Sequence, residues 1–197
     1  MIQELTRAVY DAASGSDKSV HMLGIDFDPI LIERANILLE QPVPADGRNC
    51  IEFQSVDVMD TSGQRDQIWR QYLQKTTGRE RFDFIFCFST TMWIHLNYGD
   101  QGLDDLLATL STWAENVVVE PQPWKCYRNA ARRLKRAGQE PFPLYDGLRY
   151  REKILERIEQ VLSVQRRMTL HSHLGQSKWD RPVWWFQHTA APAPEVS

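Results

Sequence analysis

The sequence predicts an α/β fold, a mostly parallel open sheet that ends in an antiparallel hairpin. Two observations carry this. From about residue 20 to 162, short apolar runs alternate with helical patterns, which implies right-handed βαβ units. The last two runs, about 164–171 and 182–188, have only the turn-rich HLGQSKWDR between them. No crossover helix is available there, so these two strands should pair antiparallel.

Each element has its own justification. Residues 2–13 repeat Ile2, Leu5, Val9 and Ala12 at helical spacing and stop at Ser14-Gly15-Ser16. Val20 to Ile25 is a short buried strand ending in Asp26. Asp28 then caps a helix that Pro29 opens, with Ile30, Leu31, Ala35 and Leu38 as its apolar face. Cys50 to Val56 is a strand ending at Asp57-Val58. Residues 64–76 form a helix with Ile68, Trp69, Tyr72 and Leu73 inward. The run FDFIFCF (82–88) is the clearest strand in the chain. Gly99 to Ala114 places Leu103, Leu106, Leu107 and Leu110 on one helical face. Asn116 to Val119 is a strand ending in Glu120, Pro123 to Ala137 a helix closed by Gly138, and 150–162 another helix. The tail AAPAPEVS (190–197) has too few large apolar groups to order itself, so the domain is read as 1–189.

The totals narrow the function. A length of 197 residues fits one domain that buries about 70% of its unfolded surface. A net charge of −3 argues against a wholesale polyanion binder, so any nucleic-acid contact must come from a local patch. Cys50, Cys87 and Cys126 lie far apart, which suits neither a disulfide framework nor a zinc site and points to a reducing compartment. No run approaches 18 apolar residues, and MIQELTRAVYDAA has no apolar signal core. The expectation is an intracellular protein, cytoplasmic or nuclear, with no membrane span.

In open α/β sheets ligands bind beyond the carboxyl ends of the strands, so the residues after each strand carry the functional reading. Asp26 could accept ribose hydroxyls of a nucleoside cofactor, or merely cap the next helix. Asp57 suits an adenine amino group with Val58 against the ring, although aspartates after strands are also common in turns. The segment FSTTMWIHLN (88–97) is dense in hydrogen-bonding groups, and its His95 could position a substrate or move a proton. The segment EPQPWKCYRNAARRLKRAG (120–138) is the richest. Lys125, Arg128, Arg132 and Arg136 fall on one helical face with no acid between them, and the helix N-terminus adds positive potential. Trp124 and Tyr127 offer stacking surfaces for a base. His171 and His173 point the same way from one strand, as metal ligands might, but no third ligand is evident, so no metal is expected. Cys126 lacks a triad. Lys178 and Arg181, in the terminal turn, could reach a phosphate.

Together, FSTTMWIHLNYGDQGL, VVVEPQPWKCYRNAARRLKRAG and SKWDRPVWWF resemble the bicoid-interacting-protein family of RNA methyltransferases, over residues 20 to 188 or so. The K-C-Y-R-N-A-A-R-R-L-K run and the W-D-R turn look closer to its RNA 5′-monophosphate methyltransferase branch than to its methylphosphate capping branch. The resemblance implies a class I, Rossmann-like fold and S-adenosylmethionine as cofactor. The partner would be an RNA with a 5′-terminal phosphate, whose oxygen is methylated by a monomeric enzyme. It implies cofactor contacts from Asp26, Phe27, Asp57, Val58 and Ser89. It places His95, Glu120, Gln122, Lys125 and Tyr127 in catalysis, and Asn97, Trp124, Arg128, Arg132, Lys178 and Arg181 on the RNA. The family begins its fold with a strand and a glycine-bearing loop that are not in this sequence, together with an upstream tyrosine and arginine. On that reading the first strand is missing and the sheet lacks a central member. Two alternatives stay open. A nicotinamide oxidoreductase would need a G-x-G-x-x-G loop. A non-catalytic RNA-binding form would bind RNA without cofactor and lose it steeply with salt.

Overall fold

Val117, Val118 and Val119 are each no more than 3% exposed, because their strand is covered on both faces and paired on both edges. That strand, β4 (Ala114–Glu120), is the centre of a four-stranded sheet of order β3-β4-β6-β5, where β3 is Phe82–Phe88, β5 is Met168–Gln176 and β6 is Pro182–His188. The β3–β4 pair is parallel, while β4–β6 and β5–β6 are antiparallel. A second sheet pairs β1 (His21–Asp26) with β2 (Cys50–Ser55) in parallel. No ladder joins the two sheets among the described residues.

The structure, a computed structural model, describes residues 19–39 and 50–189. The helix expected over 2–13 and the tail 190–197 lie outside them. The chain forms two compact units, Met1–Gly78 and Arg79–Ser197.

In the first unit, Asp28 Oδ1 accepts the Ile30 N–H at 2.9 Å and so caps α1 (Pro29–Leu39), as expected. The face expected to be buried is not. Ile30, Leu31 and Leu38 are 56%, 46% and 49% exposed. Helix α2 (Gln64–Thr76) buries Trp69, Tyr72 and Leu73, and Asp60 accepts the Ser62 and Arg65 N–H groups ahead of it.

In the second unit, α3 (Thr91–Trp113) begins eight residues before the expected Gly99. Gly99, at φ 72°, kinks the helix rather than starting it. Leu103, Leu106, Leu107 and Leu110 are buried, each contributing roughly 2 kcal/mol. Next come α4 (Trp124–Arg136), then α5 (Ile154–Gln160), with short 3₁₀ turns before it and a π turn over Val161–Gln165. The first hairpin strand therefore starts at Met168 rather than 164. Its register advances two residues between Leu170 and Ser172 while β6 advances one. This bulge sends His171 to Trp185 and His173 to Trp184, neighbours on opposite faces of β6. The two histidines do not point the same way, which corrects the geometry a shared metal would need. Among the described residues no three His, Cys, Asp or Glu side chains come together as metal ligands, and no described helix is long and apolar enough to cross a membrane.

Candidate functional site

At the carboxyl edge of the first unit, Asp26 ends β1 opposite Ser55, and Asp57 follows two residues beyond that partner. Both carboxylates bend to local backbone. Asp26 Oδ1 accepts the Asp28 N–H at 2.9 Å, and Asp57 Oδ1 the Met59 N–H at 2.8 Å. This is the turn-making habit of aspartate. Asp28 does the capping, so Asp26 is left one carboxylate oxygen with no partner among the described residues. Phe27 stands 77% exposed beside it. The Val58 carbonyl accepts from Arg65 at 2.7 Å. An acid with a spare acceptor next to an exposed ring suits the ribose and adenine of a nucleoside, so the residues present fit the cofactor expected.

At the carboxyl edge of the second unit, parallel pairing sets Phe88 beside Glu120, and the antiparallel hairpin returns Arg181 to the same end. Ser89 Oγ donates to Glu120 Oε2 at 2.6 Å. Arg181 Nη1 donates to Ser89 Oγ at 2.8 Å and lies 3.5 Å from Glu120 Oε2. Ser89 sits in the left-handed region at φ 56°, a conformation costing a non-glycine residue about 1–3 kcal/mol. Glu120 is 1% exposed. Two polar atoms of this cluster, Glu120 Oε1 and Arg181 Nε, are buried with no hydrogen-bond partner among the described residues. Buried polar atoms are nearly always paired, so an orphaned acceptor and an orphaned donor within one cluster mark a place for a missing group.

Gln122 is buried and holds the start of α3. Its Oε1 accepts from Thr91 Oγ1 at 2.9 Å and from the Met92 N–H at 3.0 Å, the job a cap residue would do, since Thr90 makes no side-chain cap. His95 is also fully buried. One ring nitrogen, Nε2, lies 2.9 Å from Asp100 Oδ1 and the other, Nδ1, 3.1 Å from the Tyr127 hydroxyl. In the neutral ring the first donates and the second accepts. Burial lowers the His95 pKa from its ordinary 6.5, opposed by the Asp100 hydrogen bond and by the charges of Asp100 and Asp104. Burial would raise the Asp100 carboxyl, but hydrogen bonds from Arg149 and His95 outweigh it and hold Asp100 below the usual range.

The aromatic pair at the head of α4 differs from expectation. Tyr127 is 0% and Trp124 7% exposed. Trp124 stacks on Tyr145 at 5.2 Å and lies 4.9 Å from Tyr127, with the Arg151 guanidinium 5.6 Å from its ring. Protein groups occupy the surfaces on which a base was expected to stack, which corrects that part of the reading. The basic side chains behave differently. Lys125, Arg128 and Arg132 are exposed on α4, and Lys125 reaches Asp180 at 3.3 Å in an exposed pair. Arg128 and Arg132 have no partner among the described residues. Lys178 lies 4.7 Å from the Trp179 ring, and Asn97 donates to the Trp93 carbonyl at 2.8 Å. The structure thus gathers Ser89, Glu120 and Arg181 in one cluster, and His95 and Tyr127 in another. Asp100, Arg149 and Asp180, which support these groups, were not singled out from sequence. Arg149 and Asp180 act on residues 49 and 55 positions away, and Asp100 meets His95 only because the helix kinks at Gly99 between them, so nothing in the local pattern marks them.

The described fold is that of class I S-adenosylmethionine-dependent methyltransferases. It resembles the magnesium protoporphyrin IX methyltransferase of Synechocystis PCC 6803, whose crystal structure contains S-adenosylhomocysteine, with a TM-score of 0.52 at 10% identity, covering 95% of this chain and 83% of that one. The family model for Bicoid-interacting protein 3 (Bin3) matches residues 82–188, and the chain belongs to that family. It is 41% identical over 175 residues to a pre-miRNA 5′-monophosphate methyltransferase of Xenopus laevis, covering 89% of this chain and 66% of that protein. It is 38% identical over 177 residues to an RNA 5′-monophosphate methyltransferase of Homo sapiens, covering 90% and 58%. The chain therefore spans somewhat under two thirds of these relatives' length.

Proposed function

We propose that this protein transfers a methyl group from S-adenosylmethionine to an oxygen of the 5′-terminal phosphate of an RNA. The observation that carries the reading is the Ser89–Glu120–Arg181 cluster, with its orphaned acceptor and donor, in a chain of the Bin3 family. The relatives' names supply the substrate class. Bound S-adenosylmethionine supplies an electrophilic methyl group. Asp26 and Phe27 would hold its ribose, Asp57 and Val58 its adenine.

The rest falls to this chain's own residues. A phosphate oxygen is already anionic at neutral pH, so no strong general base is required. The protein's task is to hold that oxygen in line, about 3–3.5 Å from the carbon it attacks. Lys125, Arg128 and Arg181 would anchor the phosphate. One or two cations suffice, since full neutralisation would blunt the attacking oxygen. Glu120 fixes Arg181, and its free Oε1 accepts from a hydroxyl or amino group of the bound molecule. His95, Tyr127 and Gln122 serve as positioning residues, for each spends its hydrogen bonds inside the protein. Asn97, Arg132 and Lys178 complete the RNA side, while the covered Trp124 packs beneath them as part of the wall. The proposal includes a monomer of the cytoplasm or nucleus. Free thiols at Cys50, Cys87 and Cys126 fit a reducing compartment.

The test is label transfer from methyl-labelled S-adenosylmethionine to matched RNAs bearing a 5′-monophosphate or a 5′-hydroxyl. Label confined to the phosphorylated RNA, and abolished when a phosphatase removes the terminal phosphate before the reaction, is expected. Equal label in both RNAs would overturn the assignment.

A further inference from the structure

The second unit carries a half-open cavity of about 420 Å³ along α4, bordered on one side by Arg181 of the strand-end cluster. Four arginines line it, Arg132, Arg133, Arg136 and Arg181, and no acid does. Asn129 and Cys126 sit on the same helical face, and Met92 adds an apolar wall. Arg132, Arg133 and Arg136 have no ion-pair or hydrogen-bond partner among the described residues. All three are exposed, whereas the half-buried Arg81, Arg157 and Arg181 each meet a carboxylate. Arg181 meets Glu120, but the other three guanidinium groups around the hollow repel one another with no acid between them, in a chain whose net charge is −3. Such an arrangement is relieved by a bound polyanion.

We infer that this arginine-lined cavity is a second RNA subsite, which takes the backbone of the single strand just inside the terminal nucleotide. This deepens the proposed function and rests on it for the identity of the chain's 5′ end. Three features favour a nucleic-acid strand over a lone anion. The cavity volume falls in the range that holds a small organic ligand rather than one oxyanion. Arg132 and Arg136 stand one helical turn apart, about 6 Å along the axis, comparable with the spacing of successive phosphates on an extended strand. Arg181 belongs both to this cavity and to the Ser89–Glu120 cluster, so a strand running from one to the other passes a shared guanidinium. The cavity face is also not the stripe read from sequence. It takes in Arg133 and leaves out Lys125 and Arg128. Two sets of cations along one helix therefore divide the work. Lys125 and Arg128 meet the terminal phosphate, while Arg132, Arg133 and Arg136 meet internucleotide phosphates.

Cys126 gives a local reporter, because it lines the cavity. The full chain would be alkylated with iodoacetamide, and modification at Cys126 read by mass spectrometry, with and without a 5′-hydroxyl oligoribonucleotide. That probe has no terminal phosphate to methylate, so its result is independent of the enzymatic reading. We expect alkylation of Cys126 to slow several-fold with the oligonucleotide and not with inorganic phosphate. In the double variant Arg132→Gln/Arg136→Gln the protection disappears. The slope of log affinity against log salt, from fluorescence anisotropy, falls by about 1.4, or 0.7 for each of two lost contacts on a single strand. Asn129→Trp, which fills the cavity and keeps every arginine, weakens the same binding. Oligonucleotide binding with no protection of Cys126, equal protection by inorganic phosphate, or an unchanged salt slope in the double variant would each overturn the subsite. Protection without methyl transfer to 5′-phosphorylated RNA would instead overturn only the proposed reaction.

Discussion

The two carboxyl edges of this protein are built in opposite ways. At β1 and β2 the polar groups bond within two residues of themselves, Asp26 to Asp28 and Asp57 to Met59. At β3 and β4 they bond across long stretches of chain, Ser89 to Glu120, Thr91 to Gln122, His95 to Tyr127 and Arg181 to Ser89. A local turn leaves its acid accessible and cheap to replace. A long-range buried network makes each member depend on the others, and fixes side-chain positions to the precision that substrate alignment demands. The first edge is suited to grip a flexible nucleoside, the second to hold a reacting group still.

Removing a member of the second network should show the largest effect. Glu120→Ala leaves the Arg181 guanidinium without its carboxylate in a largely buried setting, and is expected to destabilise the second unit by about 3 kcal/mol in urea titrations. A loss under 1 kcal/mol would mean that the cluster is not the anchor described. Lys125→Ala should leave stability within about 0.5 kcal/mol, since its pair with Asp180 is exposed. It should nevertheless lower kcat/KM for 5′-phosphorylated RNA about tenfold, roughly 1.4 kcal/mol of phosphate anchoring. Unchanged steady-state kinetics would remove Lys125 from the site. Tyr127→Phe deletes one buried hydrogen bond to His95 and should cost about 1 kcal/mol.

The smallest effect is a slope. Because burial lowers the His95 pKa, the unfolded chain takes up a proton first as pH falls below 6.5. Stability is then lost progressively from 6.5 down to the folded value, and no cost arises above it. His95→Gln can donate to Asp100 and accept from Tyr127 without titrating, so its stability should vary less with pH across that window. Parallel curves for the two proteins would show that His95 is not held neutral.

The same contrast explains what could be read from sequence. Helix α2 and strand β3 appear at the expected residues because one amphipathic face, or one dense aromatic run, decides each. Asp26 and Asp57 were legible as strand-end acids for the same local reason. The start of α3 was not. Met92, Ile94, His95 and Leu96 are all buried, so Thr91 to Asn97 shows no helical stripe, and Gly99 looks like a boundary. Strand β5 ran past its expected end because the bulge at His171 resets the alternation that marks a strand. Trp124 looked like a stacking platform because nothing in the sequence announces that Tyr145 and Arg151, more than twenty residues on, will cover it. The left-handed Ser89 has no sequence signal, since the Glu120 and Arg181 side chains it meets lie 31 and 92 residues away.

The division of labour between the two edges is tested most directly by a crossed calorimetric titration. S-adenosylhomocysteine and a 5′-monophosphorylated oligoribonucleotide are each titrated into the wild-type chain, Asp26→Ala and Arg128→Ala. The predicted result is that Asp26→Ala loses the nucleoside and keeps the RNA, while Arg128→Ala weakens the RNA and keeps the nucleoside. Retention of S-adenosylhomocysteine by Asp26→Ala, or loss of both ligands from either folded variant, would contradict it.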